Sequence, residues 1–74
     1  MTGTVKWFDK KKGFGFVAVD EEFNKKRTKS DIFVHFTSIQ MEGYRELAEG
    51  QRVEFTIGKD PKGEEQAENV VVIT

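Results

Sequence analysis

The chain has no cysteine, one histidine, one proline and no long apolar run. Without cysteine there is no disulfide to brace the fold, no thiol nucleophile and no Cys-ligated zinc site, and the composition fits a reducing compartment. A single histidine excludes a His-rich metal centre, so no metal and no cofactor are expected. No apolar stretch approaches the roughly 20 residues of a membrane span. The N-terminus reaches charged residues within ten positions, unlike a signal peptide, so a cytoplasmic location without membrane contact is expected. Proline occurs only as Pro61, and neither repeats nor Ser/Pro-rich linkers appear, which leaves residues 1–74 as one domain. A chain this short buries only about 60% of its unfolded surface and folds with little margin. Its net charge of −1 argues, on the simplest rule, against nucleic acid as a partner.

Position changes that conclusion. Residues 1–38 hold eight Lys/Arg and five Asp/Glu, a balance of +3; residues 39–74 hold four and eight, a balance of −4. Aromatics are plentiful, with seven Phe, one Trp and one Tyr. Strand signals dominate, over residues 4–8, 14–19, 31–36, 52–57 and 69–74. Lys10-Lys11-Lys12-Gly13 and Asp60-Pro61-Lys62-Gly63 read as turns, and residues 20–30 as a charged surface loop. Residues 42–49 contain good helix formers that Gly50 could cap, with a loop as the alternative. Five short strands and little helix predict a small all-β barrel, in which closure removes exposed edges.

Side chains alternate between faces along a strand. Phe14, Phe16 and Ala18 then share one face of the second run, and Asp31, Phe33 and His35 one face of the third. Val17, Val19, Ile32 and Val34 take the opposite faces. The aliphatic set predicts the core, joined by Val5, Val53, Phe55, Ile57 and part of residues 70–73. Paired side by side, the second and third strands would expose Phe14, Phe16, Phe33 and His35 together, with Lys6 and Lys12 near in sequence. An exposed aromatic patch marks an interaction surface. Flat rings interleaved with cations suit unpaired bases, stacked on the rings with phosphates at the lysines. The competing reading for any single ring is ordinary core or cross-strand packing.

Longer motifs carry a family resemblance. Lys12-Gly13-Phe14-Gly15-Phe16-Val17 resembles the first ribonucleoprotein motif of the cold shock domain, and Asp31-Ile32-Phe33-Val34-His35-Phe36 its second. Lys6-Trp7-Phe8, Thr37-Ser38-Ile39-Gln40 and Gln66-Ala67-Glu68-Asn69-Val70 also fit, so the resemblance to the stand-alone bacterial form covers nearly the whole chain. It implies a five-stranded antiparallel barrel of the oligonucleotide-binding (OB) type. It further implies binding of single-stranded RNA and DNA, as an RNA chaperone or transcription antiterminator in stress response. By position it implies stacking by Trp7, Phe14, Phe16, Phe33, His35, Phe36 and Tyr44. Lys6, Lys12 and Arg45 match basic positions, Asp31 an acceptor for base edges, and Phe8 an aromatic of mixed, partly packing role. A monomer is expected ahead of a strand-swapped dimer.

The chain departs from the family pattern in places. Asp9 replaces the commoner Asn, which should weaken binding slightly, and Met41 fills a position that is often small. Glu64-Glu65-Gln66-Ala67 stands for the usual Gly-Pro-Gln-Ala. The loop at 20–30 is several residues longer than usual and carries Phe23, Lys25, Lys26, Arg27 and Lys29. It reads either as a solvated charged turn, or as an arm with these cations as accessory phosphate contacts, or as a hinge that alters strand exchange.

Two further classes stand beside a single-strand binder. One is a barrel whose aromatic patch docks a peptide. The other, an enzyme with a small-molecule substrate, finds no support: no acid–base pair converges on His35 and no carboxylate pair frames a pocket. Gly13-x-Gly15-x-x-Ala18 superficially fits a dinucleotide fingerprint, but no helix follows it.

Overall fold

The computed structural model describes residues 1–20, 31–40 and 46–73. Strands β1 (Thr2–Asp9), β2 (Phe14–Val19), β3 (Asp31–His35), β4 (Arg52–Lys59) and β5 (Glu65–Val72) close into a barrel in the order β1-β2-β3-β5-β4. Four seams are antiparallel; the seam that closes β3 onto β5 is parallel. That seam is short. It pairs Phe33 with Gln66 and Val34 with Ala67, and is continued by a bridge between Ile39 and Val70.

The second and third strands have the two faces that alternation predicts. Along both, half-buried and fully buried residues alternate, and Val17, Val19, Ile32 and Val34 fill the interior. Val5, Val53, Phe55 and Val70 join them. Ile57 packs at the rim of this core, while Val71 and Ile73 are exposed. Ile39, Leu47 and Ala67 complete the interior and were not expected there. Residues 46–48 form no regular structure, and Gly50 lies in a turn at φ 87°. The remainder of the conceivable helix lies outside the described residues.

Several strand boundaries differ from expectation: β1 runs Thr2–Asp9, longer at both ends than residues 4–8, and β5 ends at Val72. β4 continues to Lys59, and β3 ends at His35, where Phe36–Ser38 turns into a single 3-10 turn. β5 begins at Glu65 instead of residue 69. Its first half, Glu-Gln-Ala-Glu, has weak strand propensity and is held by pairing with 56–59 of β4. Asn69 then takes φ 53°, and the register with β4 shifts there. This bulge spaces the two inward residues of β5, Ala67 and Val70, three apart instead of two.

An ion-paired clasp ties three strands together at the outer end of β2. Arg52 donates from Nη1 to Asp20 Oδ1 at 2.7 Å and from Nη2 to Asp20 Oδ2 at 2.6 Å. Thr2 donates its hydroxyl to the same carboxylate, and Arg52 Nη1 also reaches Thr4 Oγ1 at 2.9 Å. The Arg52 guanidinium, and next the Thr2 hydroxyl, hold the Asp20 carboxyl down at about 2.

Candidate nucleic-acid interface

The site is built from the outward faces of β1, β2 and β3. β2 and β3 place Phe14 opposite His35 and Phe16 opposite Phe33. Both strands are unbroken here, so all four rings stay on one face. Trp7 joins them by a different device. Counting by twos from inward-facing Val5 would point Trp7 into the core. Instead Val5 pairs with Val17 and Trp7 with Phe16, leaving Lys6 as one extra residue. This bulge inverts the alternation, so both Lys6 and Trp7 face outward. It also turns Phe8 toward the core rim, beside Gly15, where the ring is partly buried.

The rings form one continuous chain of neighbours. Trp7 lies 6.0 Å from Phe14 and 5.4 Å from Phe16, centroid to centroid. Phe33 lies 5.7 Å from Phe14 and 5.8 Å from Phe16. His35 is 6.5 Å from Phe33 and 4.7 Å from Phe36. Trp7 and Phe36, at the two ends, are each 40% exposed; Phe14, Phe16, Phe33 and His35 between them are half-buried against one another. The platform is thus partly dry before any ligand arrives, and each of its rings stays partly exposed.

Turn chemistry fixes its ends. Gly13, at φ 78°, closes the β1–β2 turn by donating its N–H to Asp9 O at 2.7 Å. Its bare Cα leaves room for the Phe36 ring, which a Cβ would strike, and its carbonyl accepts from Phe36 N–H at 2.8 Å. Asp9 Oδ1 accepts from the N–H groups of Lys11 and Lys12 at 2.9 and 3.1 Å. The carboxylate at position 9 therefore has a structural task in this turn, which holds Lys10, Lys11 and Lys12 exposed. At the other corner, His35 Nδ1 lies 2.9 Å from Thr37 Oγ1 and accepts from Thr37 N–H at 3.4 Å. This cap orients the imidazole beside Phe36.

Lys6 and Asp31, expected separately at phosphate and base edge, are brought together. Lys6 Nζ lies 2.8 Å from Asp31 Oδ2, with the side chains 56% and 33% exposed. An exposed pair of this kind is worth only about 0–1 kcal/mol, so a ligand can open it at little cost. Tyr44, Arg45, Met41, Phe23, Lys25, Lys26, Arg27 and Lys29 lie outside the described residues. The Lys6–Asp31 pair and the His35–Thr37 cap had no signal in the sequence. The first depends on the bulge that turns Lys6 outward, and the second on the 3-10 turn that follows His35.

The chain matches known proteins over nearly its whole length. The family model described as the "Cold-shock" DNA-binding domain matches residues 1–73. The chain is 53% identical over 73 residues to cold shock protein CspV of Vibrio cholerae, covering 99% of this chain and 94% of that one. It is 51% identical over 71 residues to a cold shock-like protein of Aquifex aeolicus, covering 96% and 91%. With a cold shock-like protein of Thermotoga maritima it shares 49% over 72 residues, covering 97% and 98%. Among solved structures, drosophila Unr CSD456 superposes with a TM-score of 0.69 at 24% identity. That match covers 99% of this chain and 26% of the other, and speaks to the fold alone.

Proposed function

Because this chain belongs to the cold-shock DNA-binding domain family, we propose that it binds single-stranded RNA and DNA by stacking unpaired bases on Trp7, Phe14, Phe16, Phe33, His35 and Phe36. One observation carries the proposal: six rings run in unbroken contact along the outer face of a barrel whose interior at β2 and β3 is filled instead by Val17, Val19, Ile32 and Val34. Rings needed only for stability would be inside. Stacking contributes about 1–3 kcal/mol per base and tolerates any base.

Lys6 and Lys12 serve phosphates flanking the rings, and Asp31 accepts from base edges once Lys6 turns to a phosphate. Tyr44 adds a stacking ring and Arg45 a cation, with Lys25, Lys26, Arg27 and Lys29 as accessory phosphate contacts. Phe8 contributes by packing under the platform. No step of chemistry is involved. Holding strands unpaired shifts the equilibrium between paired and unpaired RNA by mass action, without ATP, as an RNA chaperone or antiterminator requires. The working unit is a cytoplasmic monomer.

The test is titration of Trp7 fluorescence with single-stranded homo-oligomers at two salt concentrations. Quenching is expected with single strands and not with duplex or a proline-rich peptide. Because the total charge is −1, the salt slope should correspond to about two to four phosphate contacts. Quenching by duplex equal to that by single strands would sink the proposal. A steep slope would move the main electrostatic contribution to Lys25–Lys29.

A further inference from the structure

The outward row of rings continues past β3. Across the parallel seam Phe33 pairs with Gln66, and Gln66 pairs with Gly58 on β4. The row therefore reads Trp7, Phe16, Phe33, Gln66, Gly58 around all five strands. Its last two members are a side-chain amide and bare backbone. Two residues along β5, half-buried Glu68 faces outward on the same side as Gln66. Its carboxylate lies over Gly58, in space that a Cβ there would occupy. Gln66 Nε2 donates to Glu68 Oε2 at 3.4 Å, and among the described residues this is the one hydrogen bond the carboxylate accepts.

A carboxylate is an acceptor only. Beside a stacking platform it repels phosphate and the carbonyl edges of bases, and it attracts amino edges. A base laid on Phe33 overhangs the next strand, about 4.8 Å away, and carries its edge over Gln66 and Glu68. Cytosine presents there an exocyclic amino group, a donor that Glu accepts from well; thymine and uracil present a carbonyl at the same place. We propose that Glu68, seated on Gly58 and oriented by Gln66, is a specificity residue that favours cytosine over thymine or uracil at the Phe33 end of the row. The proposal rests on the ring platform being the single-strand site.

The experiment compares hexamers of deoxycytidine and of thymidine by Trp7 fluorescence, in the wild type, in Glu68→Ala and in Gly58→Ala. The readout is the ratio of the two dissociation constants, which cancels any general effect of charge. Glu68→Ala should lower the preference for deoxycytidine by about five- to tenfold, the size of one exposed charge-assisted hydrogen bond. Gly58→Ala keeps the charge but displaces it, since the new methyl meets only the far end of Glu68, and should lower the preference likewise. Either variant keeping the wild-type ratio, with its circular dichroism spectrum unchanged, overturns the proposal. Affinities that rise equally for both oligomers in Glu68→Ala also overturn it, because Glu68 is then a repulsive charge alone. A wild type that binds neither oligomer removes the platform itself, and this refinement with it.

Discussion

Phe33 is the ring with most neighbours, and Phe33→Leu tests the platform directly. Leucine keeps an apolar side chain on β3 but removes the flat face. A base stacked on an aromatic ring gains about 1–3 kcal/mol by alanine substitution. Leucine retains part of the apolar contact, so the loss should fall near about 1–2 kcal/mol, or about 5- to 30-fold in affinity. The fold is also affected. Phe33 lies within 5.7, 5.8 and 6.5 Å of Phe14, Phe16 and His35. Aromatic pairs contribute about 0.5–1.5 kcal/mol each, and these half-buried ones belong at the low end, giving about 1.5 kcal/mol in stability. For a domain of this size that lowers the melting temperature by about 6–12 °C. Binding must therefore be measured at low temperature, with circular dichroism confirming the fold. Titration of Trp7 with a thymidine hexamer at 10 °C then isolates the loss of stacking. A folded Phe33→Leu that binds within twofold of wild type would refute stacking at the platform's centre.

Two further predictions concern the scaffold. Gly15→Ala should destabilise by about 1–3 kcal/mol, because its Cβ would meet the Trp7 carbonyl and Phe8 Cα, both backbone atoms of β1 that cannot swing aside; a thermal melt within 3 °C of wild type would contradict this. Asp20→Asn should cost about 1 kcal/mol at pH 7. Its folded carboxyl sits at about 2 against the usual 3.8, which bounds the linkage near 2.5 kcal/mol before screening at this partly exposed pair. A depressed carboxyl contributes fully above pH 3.8 and loses that contribution as pH falls through about 2. The stability difference between wild type and Asp20→Asn, from urea unfolding, should thus vanish toward pH 2, and a gap that persists there would assign it to something other than the charge.

The parts of this architecture that were legible in the sequence are those where strands run without interruption. In β2 and β3 the alternation of Phe with Gly, Val and Ile is enough to separate core from platform, because period-two geometry holds from end to end. It fails at each bulge. Lys6 is not marked in the sequence as an extra residue; only the family resemblance put Trp7 on the surface. Asn69 likewise hides the inward placement of Ala67, and the apolar run at 70–73 suggested a strand centred there, whereas Val71 and Ile73 face out. Ile39 and Leu47 fill the core from outside any strand, where periodicity has nothing to count. The electrostatic partners Arg52–Asp20 and Lys6–Asp31 join residues 32 and 25 positions apart, and only the closed barrel brings them together.

The ring planes themselves limit what can lie on them. Neighbouring rings are inclined to each other by 30° to 76°, and adjacent centroids are 4.7 to 6.5 Å apart. Bases in a duplex are parallel and rise about 3.4 Å per step. No set of paired bases can therefore lie flat on successive rings. A strand that does so must be stretched beyond its own helical rise, with each base turned separately to its own facet. Each facet is then filled nearly independently of the next, so affinity should grow by similar steps with every added nucleotide until the facets run out. Discrimination against the double helix follows from the tilt of the facets, and no residue has to touch a duplex in order to reject it.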